Sequence, residues 1–254
     1  MKPLRTSDIA KAAGIHPNTV RKYEEAGFLP RPLRAPNGYR VFTERHVDQA
    51  RLAVAFFRCA WLGEPFMLKA REIVLHAAAG DFTAALAGAR TLLAQVIEER
   101  NRAELAAELL VSWAATSPAP DSREPGGMSI KEAAAYLHVT AHTLRNWDRN
   151  RLLAVPRDPV SGYRLYGPAE LRRLMVIRAL RQARYNLMSI LNMFRQLEAD
   201  PGIDPRVAID SVPPGETDIY HSTYRWLTKV KVFEGLAHEA LELLETVISR
   251  YAAK

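Results

Sequence analysis

A single cysteine, Cys59, stands in 254 residues. That excludes an internal disulfide and a zinc site built on thiolates. No apolar run is long enough to cross a bilayer. The opening stretch, Met1 to Asp8, has no apolar segment of the kind that starts a secretory signal. No Gly-rich phosphate loop or nucleophile motif appears, and no convincing carboxylate pair, so an enzyme is not expected. His138 and His142 stand four apart, a ligand spacing on a continuous helix, but a turn is expected between them and no cysteine or acid cluster follows. Neither a metal nor a cofactor is expected. Cys59, beside Ala60 and Trp61, reads as a small core residue rather than a redox sensor. These absences point to a cytoplasmic protein.

What is present is ordinary in amount and unusual in arrangement. Apolar residues make up 48% and charged residues 25%, enough to bury a core. The net charge of +7 is unevenly spread. Residues 1–64 carry 11 Lys/Arg against 6 Asp/Glu, and residues 128–198 carry 12 against 5. The stretches after each are acidic, with 6 against 8 over 65–127 and 6 against 9 over 199–254. Two basic blocks of similar size suggest two heads that face a polyanion.

The blocks repeat each other at an offset of 124 residues. Thr19 aligns with Thr143, Arg21 with Arg145, Tyr23 with Trp147, and Leu29 with Leu153. Gly38-Tyr39-Arg40 aligns with Gly162-Tyr163-Arg164, and Trp61 with Tyr185. No insertion is needed between residues 4 and 61. The chain is internally duplicated.

Within the first copy, Ser7–Ala13 reads as a short helix capped by Thr6 and ended by Gly14, and Pro17–Ala26 as a second, ended by Gly27. The gap between them is that of a helix-turn-helix. Asn37-Gly38 then favours a type I′ turn and a two-stranded wing, followed by a third helix over Glu44–Ala60. The second copy gives Lys131–Leu137, Ala141–Asn150, a wing tipped by Ser161-Gly162, and Pro168–Ala183. Each head is trailed by a long helix. Phe82, Leu86, Ala89, Leu93, Val96, Ala103, Ala107 and Leu110 recur in steps of three and four, broken only at Arg100. Trp226, Val230, Phe233, Ala237, Ala240, Leu244, Val247 and Tyr251 do so without a break. That is a coiled-coil seam, with packing into a helical bundle as the alternative.

The expected fold is mainly α: two winged helix-turn-helix heads and an antiparallel coiled coil, a pseudo-dimer in one chain. The expected divisions are head 1 over 1–64, a helical tail over 65–115, a linker over 116–127, head 2 over 128–186, and a second tail with a long loop over 187–254. That loop, Ala199–Asp218, has no counterpart in the first copy.

The stretches "TVRKYEEAGFLP…NGYRVF" and "TLRNWDRNRLLAVP…SGYRLY" each resemble the DNA-binding head of the MerR family of bacterial transcription regulators. The resemblance covers about 60 residues per head. Its departures are two heads in one chain, Lys22, Asn146 and Trp147 at positions where that family usually has tyrosine, and no tail cysteines for a metal. The resemblance implies sequence-specific, DNA-distorting promoter binding, with double-stranded DNA as partner and RNA polymerase beside it, in a nucleoid-associated protein. It assigns DNA contact to Asn18, Thr19, Arg21, Lys22, Tyr23, Tyr39 and Arg40, and to His142, Thr143, Arg145, Asn146, Trp147, Tyr163 and Arg164.

From the residues themselves, Arg40 and Arg164 would meet phosphate or pair within their own heads. Tyr23, Tyr39 and Trp147 would contact DNA or pack beneath the wing. Asn18 would read a base edge. Two other functions fit the pattern: an excisionase-like architectural protein, and a small-ligand sensor whose pocket is built from residues 61–78 and the 199–218 loop. An effector is left open.

Overall fold

A computed structural model describes residues 3–59, 62–116, 127–212 and 224–251. The expected linker therefore lies almost wholly outside the described residues, as does the end of the 199–218 loop. The chain divides into two compact units: residues 1–98 with 230–254, and residues 99–229.

In the first unit, α1 (Thr6–Ala13) and α2 (Pro17–Glu25) precede a hairpin of β1 (Leu33–Arg34) and β2 (Arg40–Val41). Helix α3 (Glu44–Cys59) follows, then α4 (Glu64–Ala79). Thr6 lies inside α1 rather than capping it. Arg5 is the cap residue, and its N–H donates to Asp8 Oδ2 at 2.8 Å. Gly14 ends α1 in the left-handed conformation, as expected. Leu4 pairs with Phe42 through both backbone bonds, fastening the wing to the chain start. Ile9, Val20, Leu29, Phe42, Val47 and Ala50 close over one another as the core of this head. Each Val, Leu, Ile or Phe so buried contributes about 1.5–3 kcal/mol.

The second unit repeats this with α6 (Ile130–Tyr136), α7 (Ala141–Arg149), a wing, α8 (Pro168–Gln182) and α9 (Leu187–Ala199). Met128 pairs with Tyr166 as Leu4 does with Phe42. The core positions carry over at the same offset: Ala133, Leu144, Leu153, Tyr166 and Leu174 are all buried. The duplication runs farther than Trp61/Tyr185. Gln49 Nε2 donates to the Phe28 and Val74 carbonyls at 3.0 and 2.9 Å. Its counterpart Arg173 donates to the Leu152 carbonyl at 2.7 Å and to Glu198 at 2.8 Å. Each pair of partners is again 124 residues apart, so α4 and α9 are copies too.

The tail helices are α5 (Phe82–Thr116) and α11 (Trp226–Tyr251). The buried positions of α5 are Ala85, Ala89, Leu92, Val96, Glu99, Ala103, Ala106, Ala107 and Leu110. The stripe is thus turned by about one residue from expectation in its first half: Leu92, not Leu93, is fully buried, and the charge on it is Glu99, not Arg100. The cause is packing on α4. Gly88 lies so close to Ile73 that an added Cβ would stand 2.9 Å from Ile73 Cγ1. Glu99 is neutralised by Arg102 at 3.2 Å and Arg184 at 3.5 Å. In α11, Val230, Ala237, Ala240, Leu244 and Val247 are buried as the spacing predicts, with Leu227 buried in place of Trp226.

The described part of the long loop is structured. Helix α10 (Pro205–Ile209) buries Ala208 and Ile209. Arg206 reaches Glu104 of α5 at 2.8 Å. Asp210 caps α11, accepting from the Leu227 N–H at 3.0 Å.

Candidate nucleic-acid interface

Local chemistry decides the shape of each wing tip. In head 1 the Gly38 N–H donates to the Ala35 carbonyl at 2.8 Å across Pro36 and Asn37. Gly38 alone of these has a positive φ, +79°. The type I′ turn expected from Asn-Gly is therefore not formed. It needs positive φ at both Asn37 and Gly38, and Asn37 does not have it; the turn that forms is centred on Pro36 and Asn37 instead. Asn37 Oδ1 instead accepts from the Tyr39 N–H at 3.2 Å.

Head 2 solves the same tip differently. Asp158 Oδ1 accepts from the N–H groups of Val160 and Ser161 and from the Ser161 hydroxyl. The Ser161 bonds hold the Asp158 carboxyl below its ordinary range. Here the Asp158 N–H bonds Tyr163, where in head 1 Ala35 bonds Tyr39. The pairing has slipped by one residue although the sequence offset has not. The slip brings Arg157 to the place of Arg34. Arg34 donates to the Gly38 carbonyl at 3.2 Å, and Arg157 to the Gly162 carbonyl at 3.0 Å. Both are exposed wing arginines. The 124-residue comparison missed them because the slip breaks their register.

The wing tips present Tyr39 and Tyr163, 75% and 76% exposed. Behind each tip an arginine ties the wing to the second helix of its head. Arg40 Nε pairs with Glu24. Arg164 meets Asp148 through Nε at 2.9 Å and Nη2 at 2.6 Å. These are the same ion pair in duplicate. The reading of Arg40 and Arg164 as phosphate clamps is corrected to that extent: both guanidiniums are partly buried and held by a carboxylate of their own head.

On the second helices, Asn18, Arg21, Lys22, His142 and Arg145 are exposed, while Thr19, Thr143 and Asn146 are half-buried. Asn146 accepts from Asn150 Nδ2 at 2.8 Å through its backbone carbonyl. Trp147 is a second correction. It is 5% exposed and belongs to the core, because its helix turns that side toward the domain interior. Tyr23 is half-buried, edge-on to Phe28 and Phe57 at 5.8 and 5.6 Å between centroids. Burial raises its phenol above the ordinary tyrosine value. It packs against the core of its head, the packing role being the alternative expected for it.

In head 1 the exposed groups converge. Arg5, Thr6, Ser7, Arg21 and the wing residues Asn37 to Val41 line one concave surface of about 720 Å³. Among the described residues no cluster of His, Cys, Asp and Glu is arranged to hold a metal, and no helix is long and apolar enough to cross a membrane. Cys59 is buried, its thiol pushed up to about 12 by desolvation. The pocket material expected from residues 61–78 is largely α4, whose Phe66, Ala70, Ile73 and Val74 are core.

Comparison with known proteins agrees with this geometry. Residues 5–42 match the family model described as MerR family regulatory protein, and residues 128–197 that of MerR HTH family regulatory protein. The protein named HTH-type transcriptional regulator CueR, from Salmonella typhi, is 41% identical over 49 residues, 19% of this chain and 36% of its own length. The protein of that name from Vibrio cholerae is 38% identical over 60 residues, 24% of this chain and 41% of its own. The mercuric resistance operon regulatory protein of Bacillus cereus is 36% identical over 46 residues, 18% and 35%. The chain thus spans well under half the length of these relatives. No solved structure matches. Two stretches of this chain, one in each half, thus match models of MerR-type helix-turn-helix regulators.

Proposed function

We propose that this protein is a sequence-specific DNA-binding transcription regulator that occupies its site as a single-chain pseudo-dimer. The observation that carries the reading is the duplicated wing: one carboxylate–arginine pair in each head holds an exposed tyrosine tip beside an exposed arginine of the second helix. Arg21 and Arg145, with Asn18 and His142 at the helix starts, meet base edges or nearby phosphates. Tyr39 and Tyr163, with Arg34 and Arg157, meet backbone phosphates. The heads differ, so the site is imperfectly symmetric, and DNA distortion adds sequence-dependent energy at positions that are not touched. Grouping of residues 230–251 with head 1 of the same chain supports intramolecular pairing of the tails as an antiparallel coiled coil.

Light scattering on the complex with a selected operator tests this. One chain per site is expected, and two chains would overturn the pseudo-dimer. Affinity is expected to fall with salt at a log–log slope of about −0.9 per neutralised phosphate, and a flat response would remove nucleic acid from the reading. Leu92→Asp and Leu244→Asp, at fully buried tail positions, are each expected to abolish specific binding, since the new charge has no partner.

A further inference from the structure

We infer that the second unit contains a small-molecule site, specific for an organic anion with an apolar body, in the cleft between the end of α7 and helices α8 and α9. The cleft is about 590 Å³, within the range of ligand pockets. Leu153, Leu191 and Phe194 give it an apolar lining, and Arg151 and Arg195 stand on it. Both arginines are exposed, and among the described residues neither has an ion pair or a side-chain hydrogen bond. The cleft's other charges are committed. Arg173 lies 3.8 Å over the Phe194 ring and pairs with Glu198, and Asp148 holds Arg164. Two uncompensated guanidiniums beside an apolar surface favour an anion whose remainder is apolar.

The other head is the internal control. At the matching positions it has Gly27 for Arg151, Gln49 for Arg173, Ala70 for Phe194 and Val74 for Glu198. Of the cleft's arginines only the counterpart of Arg195 remains, Arg71, and it lies 5.4 Å over Phe28. The copies agree in their cores and diverge here. Arg151 is moreover held at φ +58°, a conformation that costs an L-residue energy and that Gly27 adopts freely. Strain retained at a cleft is the pattern of a binding position. The site shares none of Arg145, Tyr163 or Arg164 with the proposed DNA face, so it stands whether or not that reading does.

Calorimetric titration of the full chain, without DNA, tests it with four probes: phenyl phosphate, benzoate, inorganic phosphate and benzamide. One site per chain is expected for phenyl phosphate, benzoate or both, and which of them binds assigns a phosphate monoester or a carboxylate. Inorganic phosphate and benzamide are expected to bind at least tenfold more weakly. Arg151→Gly, which installs the residue head 1 already has, and Arg195→Gln are each expected to weaken the bound aromatic anion at least tenfold without lowering the melting temperature. Arg71→Gln is expected to leave binding unchanged. No saturable binding of either aromatic anion, two equal sites per chain, equal binding of inorganic phosphate, or indifference to both arginine substitutions would overturn the inference.

Discussion

Asp48 is the group on which loss of a partner should cost most. It lies on α3 of head 1 and is 4% exposed. Two groups from the far end of the chain reach its Oδ2: Arg250 Nη1 at 2.6 Å and the Tyr251 hydroxyl at 2.8 Å. The ion pair looks the stronger of the two. Solvent reverses that order. The Arg250 side chain is 54% exposed, so its attraction is screened and its release returns it to water. Removing the Tyr251 hydroxyl takes a donor from a buried carboxylate, which costs about 1.5–3 kcal/mol. Tyr251→Phe is therefore expected to destabilise the first unit more than Arg250→Gln. Converted at roughly 2–4 °C per kcal/mol for a chain of this size, the Tyr251→Phe shift is about 3–12 °C, and that of Arg250→Gln is smaller. Double-mutant cycles with Asp48→Asn, read by urea unfolding, are expected to give the larger coupling to Tyr251. Equal couplings, or a larger one for Arg250, would refute the argument that exposure outweighs formal charge here.

Three further outcomes follow from local geometry. His138 sits at φ +48°, where head 1 has Gly14 at +66° with open space around it. Left-handed strain of about 1 kcal/mol, less about 0.5 kcal/mol of added chain freedom, predicts that His138→Gly raises stability by about 0.5 kcal/mol, and a drop in thermal stability would refute it. Cys59, with its thiol pushed up to about 12, is expected not to react with a disulfide reagent at pH 8 until the protein unfolds, and stoichiometric labelling of the native chain would contradict the burial argument. Asp158 is held below its ordinary value, so its contribution is full above about pH 4 and is lost as pH falls through the lowered value. The Ser161 amide should then lose protection from exchange on acidification while the first wing, built on neutral Asn37, does not; equal loss in both would remove Asp158 from the account.

Most of the fold was legible because it is written twice. The helix-turn-helix pairs, the wings and the tails each follow from local caps, glycines and apolar spacing, and the second copy checks the first. The misses are where a long-range contact decides. The α5 stripe turned because α4 packs on Gly88, which no spacing of leucines announces. Trp147 reads like a DNA-contacting aromatic in a motif, but which side of a nine-residue helix faces inward is fixed by the α6 and wing residues around it. The wing arginines were expected to meet phosphate or pair within their own heads, but no partner could be named. Their partners, Glu24 and Asp148, lie 16 residues earlier, and the pairing exists only once the hairpin has folded back.

The two wings together show which feature the head requires. Their tips share a left-handed glycine, Gly38 or Gly162, but differ around it: Pro36 and Asn37 in one, a carboxylate in the other, with pairing shifted by one residue. The glycines that end the first two helices of head 1 are replaced in head 2 by His138 and Arg151 at a cost in strain. What both heads keep is the bond from the wing arginine to the second helix and the exposed tyrosine that precedes it. A turn has many solutions of similar energy, whereas the wing is tied to the second helix at the same aligned positions in both heads. The ion pair makes that tie by a side chain rather than by the turn. The ion pair is thus kept while the turn differs, and a one-residue slip in the pairing before the tip leaves Tyr39 and Tyr163 exposed in both heads.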